Sequence, residues 1–312
     1  MVRLAKGSAF LATLLAVSAT ASAQQMYSTV PSIGGNPAGN APTYSGSDMS
    51  LLTSSVSFID SALPRTMVRT YLDVGYGDHR PTRAEYLFSH RGFAVPERSV
   101  DSTDLNMYME YAVASTFSLF MEQPWRWVNP DLNANRSGAG DMNFGFKFAL
   151  INTDALAATF QLRMNAPIAR KPDLATRHWC VEPAILVNYQ VANFMSIEAE
   201  ARYWMPLTKD PYAGDIFRYG IGFVVGQQEP GAMWFTPVAE VVAWSIMGGK
   251  VDVVEPLAID TQGASGQTIV NGNLGVRFGF PGGADLYAGY SHALTGTTWY
   301  KDLFRVEFRM TY

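Results

Sequence analysis

The residue types best suited to chemistry in this 312-residue chain are four histidines, His79, His90, His178 and His292, and a single cysteine, Cys180. A shared metal would need two or more histidines converging at ligand spacing, and the sequence contains no HxH or HxxxH pair. All four fall in loops or at strand ends, where they read as solvent-facing side chains. Ser89-His90 and Ser291-His292 each set a hydroxyl beside an imidazole, two parts of an activated nucleophile. Consecutive residues of a strand point to opposite faces, so such a pair needs a further partner from another strand. The stretch DLNANRSGAGDM places Asp131, Asn133 and Asn135 at the first, third and fifth positions of a calcium loop. Arg136 stands where that loop needs glycine and Met142 where it needs a bidentate glutamate, so the stretch reads as a polar loop. GIGFVVG spaces Gly220, Gly222 and Gly226 like a loose dinucleotide fingerprint, but it lies in a strand with no helix after it. Glycines in a crowded, curved barrel wall account for it better. Cys180 cannot close an internal disulfide and reads as a small apolar side chain. The expectation is a protein with no catalytic residue, no cofactor and no metal ligand.

Charges at alternate positions carry a different chemistry. SIEAEARYWM sets Glu198, Glu200, Arg202 and Trp204 on one side of an extended strand and Ile197, Ala199, Ala201 and Tyr203 on the other. MNFGFKFAL and ATFQLRMNA alternate in the same way, and the terminal FRVEFRMTY opposes Phe304, Val306, Phe308, Met310 and Tyr312 to Arg305, Glu307, Arg309 and Thr311. A soluble sheet would pack the apolar face on a core and leave the charges in water. A membrane barrel inverts this, with the apolar face in lipid and the charges in a wet lumen. Each face keeps its character for roughly the 9 to 11 residues that a tilted strand needs to cross a bilayer.

The elements that would position these charges are strands throughout. Twelve segments alternate: 66–76, 104–114, 116–124, 140–150, 156–166, 180–191, 194–205, 216–226, 233–245, 268–279, 284–293 and 301–312. The links between them are by turns long and short, as in a meander with long loops at one end and tight turns at the other. The fold class expected is all-β: a transmembrane antiparallel up-and-down β-barrel of about 12 strands, in the bacterial outer membrane with both termini periplasmic. All seven tryptophans, Trp125, Trp127, Trp179, Trp204, Trp234, Trp244 and Trp299, fall at or just beyond segment ends and, with Tyr312, predict aromatic girdles at the membrane interfaces. The inner face would carry eight basic residues, Arg69, Lys147, Arg163, Arg202, Arg218, Arg277, Arg305 and Arg309. It would also carry eight acids, Asp73, Glu110, Glu122, Glu182, Glu198, Glu200, Glu240 and Glu307. Equal numbers of both signs predict a narrow, cross-braced lumen rather than a strongly ion-selective pore. Glu198, Glu200 and Arg202 read either as a solute-binding constriction or as part of an ion-pair lattice.

The start of the chain predicts export. Arg3 and Lys6, the apolar run FLATLLAVSAT and the small residues Ala21-Ser22-Ala23 form a signal peptide over 1–23. The formal net charge of −4 then becomes −6, with 21 basic residues against 27 acidic, which argues against a nucleic-acid partner. After Ala23 no apolar run approaches the roughly 18 residues of a spanning helix. Residues 24–65 read as a flexible periplasmic arm, low in complexity through GGNPAGNAPTYSGSD, with MSLLTSSVSFIDSALP able to form a short helix. The barrel would occupy 66–312.

Several stretches resemble one known family. IDSALPRTMVRTYLDVGY followed by RPTRAEYLF, then STFSLFMEQPWRW, GAGDMNFGFKFAL, WFTPVAEVVAWSIMGG, TIVNGNLGVRFGF and DLYAGYSHALTGTTWYKDLFRVEFRMTY are similar to bacterial outer-membrane barrels grouped with the phenol-degradation meta-pathway proteins. That resemblance spans about Phe58 to Tyr312 and implies a barrel that takes part in uptake of small, including aromatic, compounds. It supplies no catalytic residues. It also implies that Tyr312 belongs to a terminal signal read by the barrel-assembly machinery. The partners expected are outer-membrane lipid, that machinery and a small-molecule solute. Three functions stay open on the sequence: a passive channel, a non-conducting surface scaffold, and an outer-membrane hydrolase.

Overall fold

A computed structural model describes residues 52–78, 99–171, 174, 176, 178–226, 231–254, 259–296 and 298–312. The signal-peptide reading, most of the arm, His79 and Ser89-His90 lie outside these residues. Within them the chain forms fifteen strands: β1 Met67–Asp78, β2 Val100–Ala114, β3 Phe117–Pro130, β4 Arg136–Ala139, β5 Met142–Asn152, β6 Leu156–Ala166, β7 Trp179–Ala192, β8 Met195–Leu207, β9 Ile216–Val225, β10 Trp234–Ile246, β11 Lys250–Val254, β12 Ile259–Gly263, β13 Thr268–Gly279, β14 Ala284–Ala293 and β15 Asp302–Thr311. There is no α-helix among the described residues.

Twelve of the strands close a single antiparallel barrel. Each pairs with its neighbours along the chain, and β15 returns to pair with β1, Met67 opposite Thr311 and Tyr76 opposite Asp302. Closure leaves the wall no open edge and satisfies its backbone polar groups internally. The Tyr312 amide extends the seam by donating to the Thr66 carbonyl at 3.0 Å. β4 continues the line of β5 after an interruption at Gly140-Asp141, both pairing with β3. β11 and β12 form a separate hairpin in the long link between β10 and β13, an element that the alternation of the sequence does not announce. The links alternate long and short around most of the barrel, although 208–215 and 226–233, on either side of β9, are equal in length; the start of β1 and the end of β15 share the short-turn end.

The inverted pattern is the one observed. Met107 and Leu150 are 58% and 57% exposed on the outside, whereas Glu182, Arg277 and Glu307 are fully buried within. In water such an outside would be an aggregation hazard; in lipid it is the solvated face.

Residues 52–65, the described part of the arm, are neither helical nor peripheral. They run as an extended, bent segment inside the barrel, with Leu52, Ser54, Ser55, Val56, Ser57, Ile59, Ala62 and Leu63 buried. The Thr-Ser-Ser-Val-Ser run disfavours helix because its hydroxyls and branched side chain compete with helical geometry. The barrel wall takes up the backbone groups that a helix would otherwise satisfy. The segment enters from the short-turn end, bends near Phe58 and Asp60, and returns to β1. Arg65 donates to the Leu52 carbonyl, closing the base of this finger.

Candidate functional site

The finger is held by its backbone. Glu198 on β8 accepts from Ser54 Oγ at 2.7 Å and from the Ser55 and Val56 amides at 2.9 and 3.5 Å. Glu240 on β10 accepts three successive amides, Ser57, Phe58 and Ile59, each at 3.0 Å. Glu200 takes the Asp60 amide at 3.0 Å and Glu307 takes Ser57 Oγ at 2.7 Å. The carbonyls meet the opposite charge. Arg309 donates to Ser54 at 2.7 Å, Arg277 to Ser55 and Val56 at 2.9 and 3.1 Å, Arg305 to Ser57 and Arg218 to Phe58. Hydrogen bonds with one ionised partner are the strong ones, and burial strengthens them further. The lumenal acids and bases thus serve two ends of the peptide group as well as one another.

The finger's tip carries a charge of its own. Asp60 Oδ2 lies 2.7 Å from Arg163 and 2.5 Å from Arg202. Burial alone would raise its pKa, but Arg163 and Arg202, with Lys147 and Arg69 beyond them, hold it well below the usual carboxylate range.

The wall makes room for the finger. A Cβ on Gly220 would come within 2.6 Å of Ile59 Cγ2, and one on Gly222 within 2.6 Å of Val56 Cγ1. Gly220 and Gly222 of GIGFVVG therefore answer to the finger's side chains, whereas Gly226 sits against Phe235 and Thr236 of the neighbouring strand.

Above the tip, toward the long-loop end, lies a cavity of about 230 Å³. Phe58 and Asp60 form part of its floor. Trp299, from the link between β14 and β15, packs edge-on to Trp204 at 5.6 Å between centroids and against Trp244 at 4.8 Å. Arg218 lies 5.8 Å over the Trp244 ring. Burial pushes the neighbouring Tyr300 phenol up to about 12, so it stays protonated beside Ser291 Oγ at 3.1 Å. The facing wall is a polar chain: Asp141 accepts from the Thr176 amide and hydroxyl at 2.6 and 2.7 Å, Asn165 Oδ1 lies 3.2 Å from the same hydroxyl, and Asn165 donates to Asn143 at 3.1 Å.

The fourteen charges expected to form the lumen or its constriction are all on the inner side. Arg69, Asp73, Glu110, Lys147, Arg163, Glu198, Glu200, Arg202, Arg218, Glu240, Arg277, Arg305, Glu307 and Arg309 are buried or partly buried. Lys147 pairs with Glu110 at 2.8 Å and Arg305 with Asp73 at 2.6 Å, while others turn to the finger.

The tryptophans divide. Trp125 and Trp179 are exposed on the outer surface, and Trp127 and Trp234 are partly buried. Trp204, Trp244 and Trp299 depart from the girdle expectation: they are buried in the lumen at 7–8% exposure. For Trp204 and Trp244 strand parity is the reason, while Trp299 reaches the lumen from the link between β14 and β15. Trp204 shares a face with Glu198, Glu200 and Arg202, and Trp244 shares one with Glu240 and Val242.

The remaining candidates separate in the same way. Ser291 is buried inside, while the His292 side chain is 48% exposed and bonds Asp302 at 2.7 Å, so this adjacent pair does not assemble a nucleophile with its base. His178 is buried rather than solvent-facing, since it stands where the link into β7 folds over the polar wall. Cys180 is buried in an apolar cluster with Trp204 and Ile216. Among the described residues, no group of three or more His, Cys, Asp or Glu side chains could hold a metal ion. The finger and the aromatic cluster escaped the sequence reading, although the parity of Trp204 was there to be seen.

No protein-family model matches the chain, and no curated protein sequence matches it. Solved structures do match. An outer membrane channel from Pseudomonas putida F1 superposes with a TM-score of 0.56 at 12% identity, over 84% of this chain and all of that one. The NanC porin follows at 0.49 and 8%, over 78% of this chain and 98% of its own. LpxR from Salmonella typhimurium, at 0.43 and 9%, covers 79% of this chain and all of its own. This chain has an outer-membrane barrel fold. At such identities the likeness is one of fold, and function must be argued from the lumen.

Proposed function

We propose that the protein is an outer-membrane channel for small molecules, closed in the state seen here by residues 52–65. The observation that carries this reading is the manner of closure. The obstruction is a separate segment held by hydrogen bonds and ion pairs, and the wall keeps glycines at 220 and 222 where it could have filled the space itself. Withdrawal of the finger would leave a charge-lined passage continuous with the cavity above it. Diffusion through that passage needs no cofactor and no energy input. Export by a 1–23 signal peptide, insertion by the barrel-assembly machinery through a signal ending at Tyr312, and periplasmic termini complete the reading. The similarity of several stretches to the phenol-degradation meta-pathway barrels supports an uptake role.

The same occupancy favours a second reading, a non-conducting surface scaffold in which the finger is a permanent brace. Single-channel recording in a planar bilayer distinguishes them, using refolded protein with and without residues 24–65. The channel reading expects brief or no openings from the longer protein and steady conductance from the shorter. Silence from both, with folding shown by heat-dependent gel mobility, selects the scaffold.

A further inference from the structure

We infer that Arg163 and Arg202 form a binding site for a small monocarboxylate, which the finger fills with its own Asp60 until a free acid displaces it. The inference rests on the channel reading, because it names the class of solute that both opens the passage and enters it.

The first observation is how Asp60 is held. Arg163 Nη2 and Arg202 Nη2 converge on one oxygen, Oδ2, at 2.7 and 2.5 Å. The Nε atoms of both arginines, and Nη1 of Arg202, are buried and make no hydrogen bond. An arginine grips a carboxylate best through two parallel N–H···O bonds. Asp60 falls short of that arrangement because its backbone is fixed on either side, the Ile59 amide by Glu240 and its own amide by Glu200. A free acid has no such tether and can turn both oxygens toward the two guanidinium groups.

The second is what each arginine keeps when the finger leaves. Arg202 has Glu182 and Glu200 at 3.5 and 3.6 Å and donates to Gln161 at 2.7 Å. For Arg163, Asp60 is the sole carboxylate in ion-pair contact among the described residues, and its side chain is only 12% exposed. Withdrawal of the finger therefore strands a largely buried cation, which is costly. A carboxylate in the place of Asp60 removes that cost, and it binds only while Asp60 is away, so it shifts the equilibrium toward the withdrawn finger. One negative charge restores the balance that Asp60 supplied. A neutral solute leaves Arg163 unpaired, and a cation adds repulsion.

The third is access. Asp60, Arg163 and Arg202 all line the cavity above the finger, so a solute that has entered there is already beside the ion pair. The volume of about 230 Å³ is below the roughly 300–1,000 Å³ of sites for drug-sized ligands, which suits a small acid.

Inorganic phosphate shares the oxyanion chemistry, and maleimide labelling of the full chain separates the two sources. The reporter is Ala62→Cys in a Cys180→Ser background, since Ala62 is 1% exposed on the docked finger. Sodium propionate, its neutral isostere propionamide and sodium phosphate are compared at an ionic strength matched with sodium chloride. Propionate should accelerate labelling at least fivefold and to a plateau, phosphate less at equal concentration, and propionamide not at all. Arg163→Gln should raise the basal rate yet abolish the response to propionate. Asp60→Asn should lower the half-saturating propionate concentration at least fivefold, because the ligand then has no carboxylate to displace. Equal acceleration by propionamide or by chloride alone, a stronger response to phosphate, a response that survives Arg163→Gln, or a half-saturation indifferent to Asp60→Asn would overturn the assignment. Conductance on finger deletion, with no propionate response in the full chain, would sink this inference alone and leave the channel standing.

Discussion

Glu240 satisfies three consecutive backbone amides of the finger, Ser57 to Ile59, from a buried position. Glu240→Ala leaves three buried donors without their acceptor, at about 1–3 kcal/mol apiece. The expected loss in finger docking is therefore at least about 3 kcal/mol. Maleimide labelling of a cysteine placed at Phe58, in a Cys180→Ser background, should accelerate at least tenfold, and unchanged labelling would deny Glu240 its role. Asp60 permits a pH argument. Its carboxyl is held well below the usual range because Arg163 and Arg202 outweigh the effect of burial. A depressed carboxylate contributes stability that is full above its unfolded pKa, near 4, and is lost only as pH falls through the lower folded value. The destabilisation by Asp60→Asn, read as a shift in thermal unfolding in detergent, should accordingly be the same at pH 7 and pH 5. A difference that shrinks toward pH 5 would mean that the carboxyl titrates in its ordinary range.

At the scale of elements, β8, β9 and β10 form the part of the wall that the finger reads. β9 supplies the space, through Gly220 and Gly222, and its neighbours supply Glu198, Glu200 and Glu240. Gly222→Val puts side-chain atoms where Val56 now sits, while leaving the strand's pairing to β8 and β10 intact. A valine suits a strand, so the barrel should assemble normally. The finger should be displaced, seen as steady conductance from the unshortened protein; a barrel that folds and stays silent would show that the finger tolerates the intrusion. The strands themselves were legible because their period of two persists over about ten residues in each. The β11–β12 hairpin was not, since strands of five residues each are too short for a period of two to stand out.

For the whole molecule, the proposed orientation puts the long links at the cell exterior. Arg136 on β4 and Lys250 on β11 are both exposed at the long-loop end, so trypsin added to intact cells should cut at one or both. Cleavage that occurs only after permeabilisation would reverse the orientation. The sequence by itself determined the barrel: twelve strands, their approximate bounds, the apolar outside and the charged inside all follow from alternation, which is local and survives without knowledge of any neighbour. It even carried the inward parity of Trp204, obscured only because a tryptophan near a strand end suggests a girdle. The tertiary structure alone decided the finger and the cavity that it floors. Ser55 meets Glu198 across 143 residues of sequence and Ser54 meets Arg309 across 255, and those contacts use the backbone of a stretch whose side chains carry no period. A segment recognised through its peptide groups leaves little signature in residue identity, so its place becomes visible only when the closed barrel brings acids and arginines from distant strands around it.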